Sequence, residues 1–308
     1  MEHSQNMKTP SFSHRLIQLT HLGLLQISGA RAAEFLQGQV SCDVREVNAT
    51  QSRLGLRCDV KGRVQASFRL FYVEGTFYAL LPRTMVAVLQ NSLQKYAVFS
   101  SVKLKDVSQD WQFNGLIYAN NMDPSPSPWF TPANTVQADS SRFMLRVFGK
   151  EPRVIDITPY ANPSPFTEQD DTKATLEEWL LHDIRAGLAI IYPETVGHYT
   201  PQQLNYTTLG AVSFNKGCYL GQEIIARTHY LGKAKYGLYH ASFTTDHAPL
   251  TTPGTVIQNE HANVQGALIQ CAHPPSRTYE ALVCLQNSAI SHTLFLGHGH
   301  GPRLTLLQ

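Results

Sequence analysis

An α+β fold closed by a C-terminal β-barrel is what this sequence predicts, on three observations. Strand-like and helix-like segments alternate through the first hundred residues, one well-capped helix follows two proline-rich stretches, and beyond Lys233 only short strand-like runs remain. At 308 residues, with 43% hydrophobic and 16% charged residues, the composition is globular, and the length suits two domains or one large composite one.

Taken in order, the apolar block from Ile17 to Ile27 closes at Ser28-Gly29, and Ala32, Ala33, Phe35 and Leu36 then recur at helical spacing. This reads as strand, turn, helix. Arg63 to Tyr72 and Thr76 to Leu81 read as a hairpin around Glu74-Gly75, preceded by a tight turn at Lys61-Gly62. Thr84 is placed to cap a helix whose apolar members are Val88, Leu89, Leu93 and Tyr96, and Val98 to Val107 reads as the next strand. The prolines of Asn120 to Ala138 and of Thr158 to Thr172 mark loops or linkers. Thr175 with Glu178 forms a capping box for a helix whose apolar face is Leu176, Trp179, Leu180 and Ile184 and which ends at Gly187. Tyr236 to Phe243, Thr255 to Ile257, Gly266 to Cys271, Ala281 to Leu285 and Thr293 to Leu296 suit a small barrel. Residues 1–232 and 233–308 are therefore taken as two domains, with no internal repeat.

Several classes are excluded or disfavoured. The longest apolar runs, near Leu22 to Ile27 and Leu188 to Tyr192, are far below the roughly 18 residues of a membrane span. Met1 to Pro10 lacks a secretory signal, so a cytoplasmic protein is expected. Five cysteines without a Cys-x-x-Cys pair indicate neither a disulfide framework nor a zinc knuckle. A net charge of +2 provides no general field for nucleic acid. Lys216, Arg227, His229, Lys233 and Lys235 gather positive charge that suits a small anion better than a duplex, and direct nucleic-acid binding is not expected.

The stretch richest in chemistry is Asn215-Lys216-Gly217-Cys218-Tyr219-Leu220-Gly221-Gln222-Glu223. Gly217 and Gly221 permit tight turns and close backbone approach. If a helix begins at Gln222, Cys218 lies just before its N-terminus, where free N–H groups and the nearby Lys216 and Arg227 favour a thiolate; Gln222 and Glu223 then start the helix or hold the loop. Taken alone, a single free cysteine is more often a small buried residue.

Lys-Gly-Cys-Tyr-x-Gly-Gln-Glu resembles the signature of the YgfZ-type folate-binding proteins, relatives of the glycine-cleavage aminomethyltransferase (T-protein). Ile27-Ser28-Gly29 with Phe35-Leu36-Gln37-Gly38-Gln39-Val40 and Asp43-Val44 looks like the family's N-terminal block, and Asp59-Val60-Lys61-Gly62-Arg63 like its second. Lys95 to Phe99 and Arg185-Ala186-Gly187 also fit; Asn120 to Thr172 and the last residues match poorly. The resemblance implies a T-protein-like fold with intertwined α/β lobes, a central hole that binds tetrahydrofolate or a derivative, and a role in maintaining iron–sulfur enzymes such as a tRNA methylthiotransferase. Cys218 is the residue on which that activity would depend. Because clusters usually take four protein ligands, its contact with an iron–sulfur cluster would be transient or shared between chains.

Of two tryptophans that the family associates with folate, one is matched by Trp179 and the other by Leu22, which offers apolar area but no stacking face. From periodicity alone, Trp179 is equally a core residue. The aminomethyltransferase's carboxylates align with Ala66 and Ser67, neither a general acid or base, and a folate-contacting glutamate aligns with Arg185, whose charge could attract a glutamate tail. An accessory factor is thus the first reading, with a true aminomethyltransferase and a non-catalytic adaptor with a vestigial folate site as alternatives. His292 and His298-Gly299-His300 read as a solvated tail, not a metal site; Cys42 and Cys58 read as buried spectators, and Cys271 and Cys284 as facing the barrel core.

Overall fold

The computed structural model describes residues 14–118, 133–139, 141–166, 174–232, 234–245, 251–273, 278–298 and 301–307. The chain enters as β1 (His14–Gln18), reverses through a turn in which Leu22 N–H donates to Leu19 O (3.1 Å), and continues as β2 (Leu22–Ser28). The apolar block read as one strand is therefore two, and they join different sheets. Leu19 and Leu22 on either side carry the apolar pattern across the turn at Thr20-His21, so the break is not marked by a Gly or Pro in the sequence.

β2 joins β3 (Arg53–Cys58), β4 (Val64–Val73), β5 (Thr76–Pro82) and β6 (Lys103–Asp106) in an antiparallel sheet of order β3-β4-β5-β2-β6. The predicted hairpin between β4 and β5 is present: Glu74 and Gly75 both take positive φ (45° and 85°), the two-residue turn whose twist matches antiparallel strands. α1 (Ala32–Gln37) and α2 (Arg83–Ala97) cover one face, α2 through Met85, Val86, Leu89, Leu93 and Ala97. Thr84 does not cap α2. The helix starts directly from Pro82 at the end of β5, which makes Thr84 its second residue. Val98 to Val107 is not one strand either: a 3₁₀ turn (Val98–Ser100) and Ser101 at φ 54° precede β6.

The second sheet takes β1 together with β7 (Trp111–Tyr118), β8 (Val136–Asp139), β9 (Arg142–Val147) and β10 (Arg153–Pro159), in the order β1-β7-β10-β9-β8. Val136–Asp139 thus ends the first proline-rich stretch as an edge strand; residues 119–132 and 167–173 of the two stretches lie outside the described residues. Since β1 precedes β2 yet belongs to the second sheet, the two lobes are intertwined. Leu22 and Leu24, Phe71 and Val73, and Tyr78 and Leu80 meet Phe113, Phe143, Leu145 and Ile157 between the sheets.

α3 (Leu176–Arg185) has the Thr175 half of the expected capping box, Thr175 Oγ1 accepting from Glu178 N–H (3.3 Å), while the Glu178 carboxylate pairs with Arg15; Gly187 follows in left-handed conformation (φ 66°). α3 lies against β1 and against the barrel, which is closed by β11 (Tyr236–Thr244), β12 (Val256–Asn259), β13 (Val264–Ala272), β14 (Thr278–Gln286), β15 (Leu294–Leu296) and β16 (Arg303–Leu306). The sixth strand means that His298 sits in a turn between β15 and β16 and not in a terminal tail. Gly299 and His300 lie outside the described residues. Cys271 packs toward the barrel interior, whereas Cys284 faces the lobes, its Sγ 3.8 Å from Gln203 O. The strand alternation puts successive side chains on opposite faces, and the bulge at Leu268/Gln270 shifts that register in β13.

Candidate functional site

The cysteine loop is assembled from three parts of the sequence. Gly221, at φ 84°, begins α4 (Gln222–Leu231), so Cys218 does precede a helix start. A Cβ on Gly221 would overlap the Asp59 carbonyl oxygen, and one on Gly62 (φ 69°) would press on Ile224 and Ile225. The motif loop and the Asp59–Gly62 turn therefore dock backbone to backbone, which glycine alone allows at both positions. Asp59 rigidifies that turn: its Oδ1 accepts from the N–H groups of Lys61 and Arg63, each 2.9 Å. The first block closes from the other side, where Leu220 N–H donates to Gly38 O (3.3 Å).

Lys216 holds the loop from beneath. It is 7% exposed, and its ammonium donates to Val40 O (2.8 Å) and Cys42 O (2.7 Å) above the buried ring of Tyr219 (5.1 Å). Burial lowers its pKa to about 8. The side chain that the sequence places beside the thiol is thus an internal anchor, while Cys218, Gly217 and Glu223 are exposed and Gln222 half-buried. Arg227 is exposed on α4. The other thiols differ: burial pushes Cys42, Cys58, Cys271 and Cys284 up to about 12.

A cavity opens between the two sheets under α3, with a mainly apolar lining. Leu22 and Trp179 both line it, as does Ser67, whose Oγ accepts from Ile191 N–H (3.3 Å). Ala66 is fully buried in the core behind β4. Trp179 is only 2% exposed: it packs on the backbone of Gly115, and the Arg153 guanidinium lies 4.7 Å from its ring centre. It is a core residue that also lines the cavity.

Arg185 is not among the lining residues described. Its guanidinium forms a two-pronged ion pair with Glu280 of β14, which also meets His240 Nε2 (2.8 Å). The polar lining comes instead from residues that the motifs do not mark: His21, Arg69 and Asp183. Asp183 pairs with Arg153 (2.8 Å). Burial lowers the pKa of His21, against the opposing pull of Asp183. The signal for Arg69 was its position inside a strand otherwise buried on both faces, where a charge must be paired or line a cavity. Among the described residues no cluster of His, Cys, Asp or Glu could hold a metal ion.

Two interleaved antiparallel sheets, a closed barrel and a cavity between the sheets define a protein of the aminomethyltransferase T class of folds. Glycine cleavage system aminomethyltransferase T from Bartonella henselae matches with a TM-score of 0.75 over 96% of this chain and 86% of its own, at 16% identity. No family model matches the sequence. The tRNA-modifying protein YgfZ of Colwellia psychrerythraea is 34% identical over 228 residues, 73% of this chain and 70% of that protein. An uncharacterized Haemophilus influenzae protein is 33% identical over 227 residues, 73% and 72% of the two chains. The chain belongs to the YgfZ family of tRNA-modifying proteins.

Proposed function

We propose that this protein is a folate-binding accessory factor that supports iron–sulfur cluster assembly or repair and thereby tRNA thiomodification, with Cys218 as its working thiol. The observation that carries the reading is the convergence of three sequence blocks on one loop whose cysteine is the exposed one of the five. The name of the Colwellia relative agrees with a role in tRNA modification.

The apolar lining of the cavity, with Leu22 and Trp179 among its residues, supports this reading, since it suits an aromatic ring. Folate, when bound, supplies a carrier for a one-carbon unit; the chain's part is to bind and orient it. Aminomethyl transfer is disfavoured, because Ala66 and Ser67 carry no carboxylate and the cavity's Asp183 is committed to Arg153. A single exposed thiol can meet a cluster only together with ligands from a partner, which fits an accessory role.

Adenosine methylthiolation of tRNA, read by mass spectrometry in a strain carrying Cys218→Ala, should fall to the level of the deletion strain. Unchanged modification would refute the role of the thiol. Calorimetry with tetrahydrofolate on wild type and on Trp179→Leu, which keeps an apolar side chain but removes the aromatic face, tests the cavity: binding weakened by Trp179→Leu and kept by Cys218→Ala is expected. No binding by the wild type would favour the adaptor, and methylene-tetrahydrofolate formation from an aminomethyl-lipoyl carrier would restore the transferase.

A further inference from the structure

Arg69 sits on the face of β4 turned toward the second sheet, is 5% exposed and lines the cavity. Its Nη1 donates to Ser52 Oγ (3.4 Å) and to Asn134 Oδ1, both neutral oxygens. Among the described residues Nε and Nη2 have no hydrogen-bond partner, and they are not among the fully buried atoms. These two nitrogens form the side edge of the guanidinium, the fork that matches a carboxylate in bidentate geometry.

The surroundings lack negative charge. Arg153 takes Asp183 (2.8 Å), and Arg146 has only the carbonyls of Val147 and Arg153 for its Nη1, with Nε buried and unpartnered. Glu151 lies 3.1 Å from His182 and is not among the residues that line the cavity. Beside the cavity Arg69 and Arg153 thus have the one carboxylate of Asp183 between them, and it is paired with Arg153; Arg69, 5% exposed, has no counter-charge of its own, which is costly unless an anion joins it. Burial pushes the pKa of Arg69 down to about 10, Arg153 and Arg146 acting in the same direction and Asp183 against it.

We propose that the cavity is a site for an aromatic carboxylate, whose carboxyl group docks on Nε and Nη2 of Arg69 while its ring lies among Leu22, Leu80, Leu188 and Trp179. The inference rests on the reading of this cavity as the ligand site. For a folate it means that the aminobenzoyl-glutamate end, and not the uncharged pteridine, reaches Arg69.

The test is calorimetry on the full-length protein with p-aminobenzoyl-L-glutamate, its diamide, 6-hydroxymethylpterin and tetrahydrofolate. The diamide should bind wild type at least tenfold more weakly than the acid, a comparison that needs no variant. Arg69→Gln should weaken the acid at least tenfold and leave the pterin unchanged, with Arg69→Lys intermediate and near-ultraviolet circular dichroism confirming the fold. Equal binding of acid and diamide, or a pterin affinity that falls with Arg69→Gln, would overturn the proposal. Tetrahydrofolate binding wild type and Arg69→Gln alike would overturn it and leave the folate reading standing; the acid binding through Arg69 while tetrahydrofolate fails to bind would do the reverse.

Discussion

The α-carbon of Gly221 rests against the carbonyl oxygen of Asp59, at a separation that leaves no room for a Cβ. This contact couples a motif near residue 220 to one near residue 60 without any side chain of the motif loop taking part. It fixes the start of α4 and hence the direction from which Cys218 meets solvent.

Gly221→Ala should therefore destabilise the protein by about 2–4 kcal/mol, from left-handed strain and from overlap with backbone that cannot move alone. Urea unfolding checks it. A loss below about 1 kcal/mol would mean that the loop and the Asp59–Gly62 turn separate freely, and the alkylation rate of Cys218 would then be unaffected by the substitution.

Thiol labelling should distinguish one cysteine from four. At pH 8 a thiol with a pKa of about 12, as burial gives Cys42, Cys58, Cys271 and Cys284, is roughly 0.01% thiolate. Cys218 is exposed. The native protein should release about one equivalent of thionitrobenzoate rapidly, mapped to Cys218 by mass spectrometry, and Cys218→Ser should release none on that timescale. A second fast thiol would show that the core around Cys42 and Cys58, or the barrel, opens readily.

How much of this was legible depends on the range of the interaction involved. The β4–β5 hairpin and α3 were readable because Glu74-Gly75 and Thr175 act on neighbours a few residues away. The barrel was readable from short strands between turns, apart from β16, which follows a histidine-glycine segment that resembles a tail. The split of β1 from β2 was not, since sheet membership is decided by pairing with Gly115 and Leu81 far along the chain. In the site, the motif announced Cys218 and its glycines, but the direction of the Lys216 side chain depends on two carbonyls more than 170 residues away. Arg69 and Asp183 carry no motif at all; only the packing of two sheets shows that they face one cavity.

The pairing of Arg153 with Asp183 beside that cavity should show strong coupling. Asp183→Asn leaves a fully buried guanidinium without its counter-charge and should cost about 3–5 kcal/mol. The double variant Arg153→Met/Asp183→Leu should cost clearly less than the two single losses together, because neither charge is then stranded. Urea unfolding of Arg153→Met, Asp183→Leu and the double variant measures the coupling, and additive losses would show that water already solvates the pair.

Lys216 should make stability depend on pH in the alkaline range, with a sign opposite to that of an ordinary surface ion pair. Burial lowers its pKa from 10.5 to about 8 in the folded protein, and the unfolded chain keeps the ordinary value. Below about pH 8 both states hold the proton, and the cost of burying the ammonium is constant. Between about 8 and about 10.5 the folded state has released a proton that the unfolded state still binds, so stability rises with pH, by at most about 3 kcal/mol. Lys216→Met removes this term. It also strands the carbonyls of Val40 and Cys42, a loss that does not depend on pH. The wild-type-minus-variant stability, measured by urea unfolding from pH 7.5 to 10, should therefore climb with pH, while the ionisation of Tyr192 and Tyr206, common to both proteins, cancels. A flat difference would mean that the two carbonyls and the Tyr219 ring solvate the ammonium as well as water does, and the loop beneath Cys218 would then be anchored by a permanent charge.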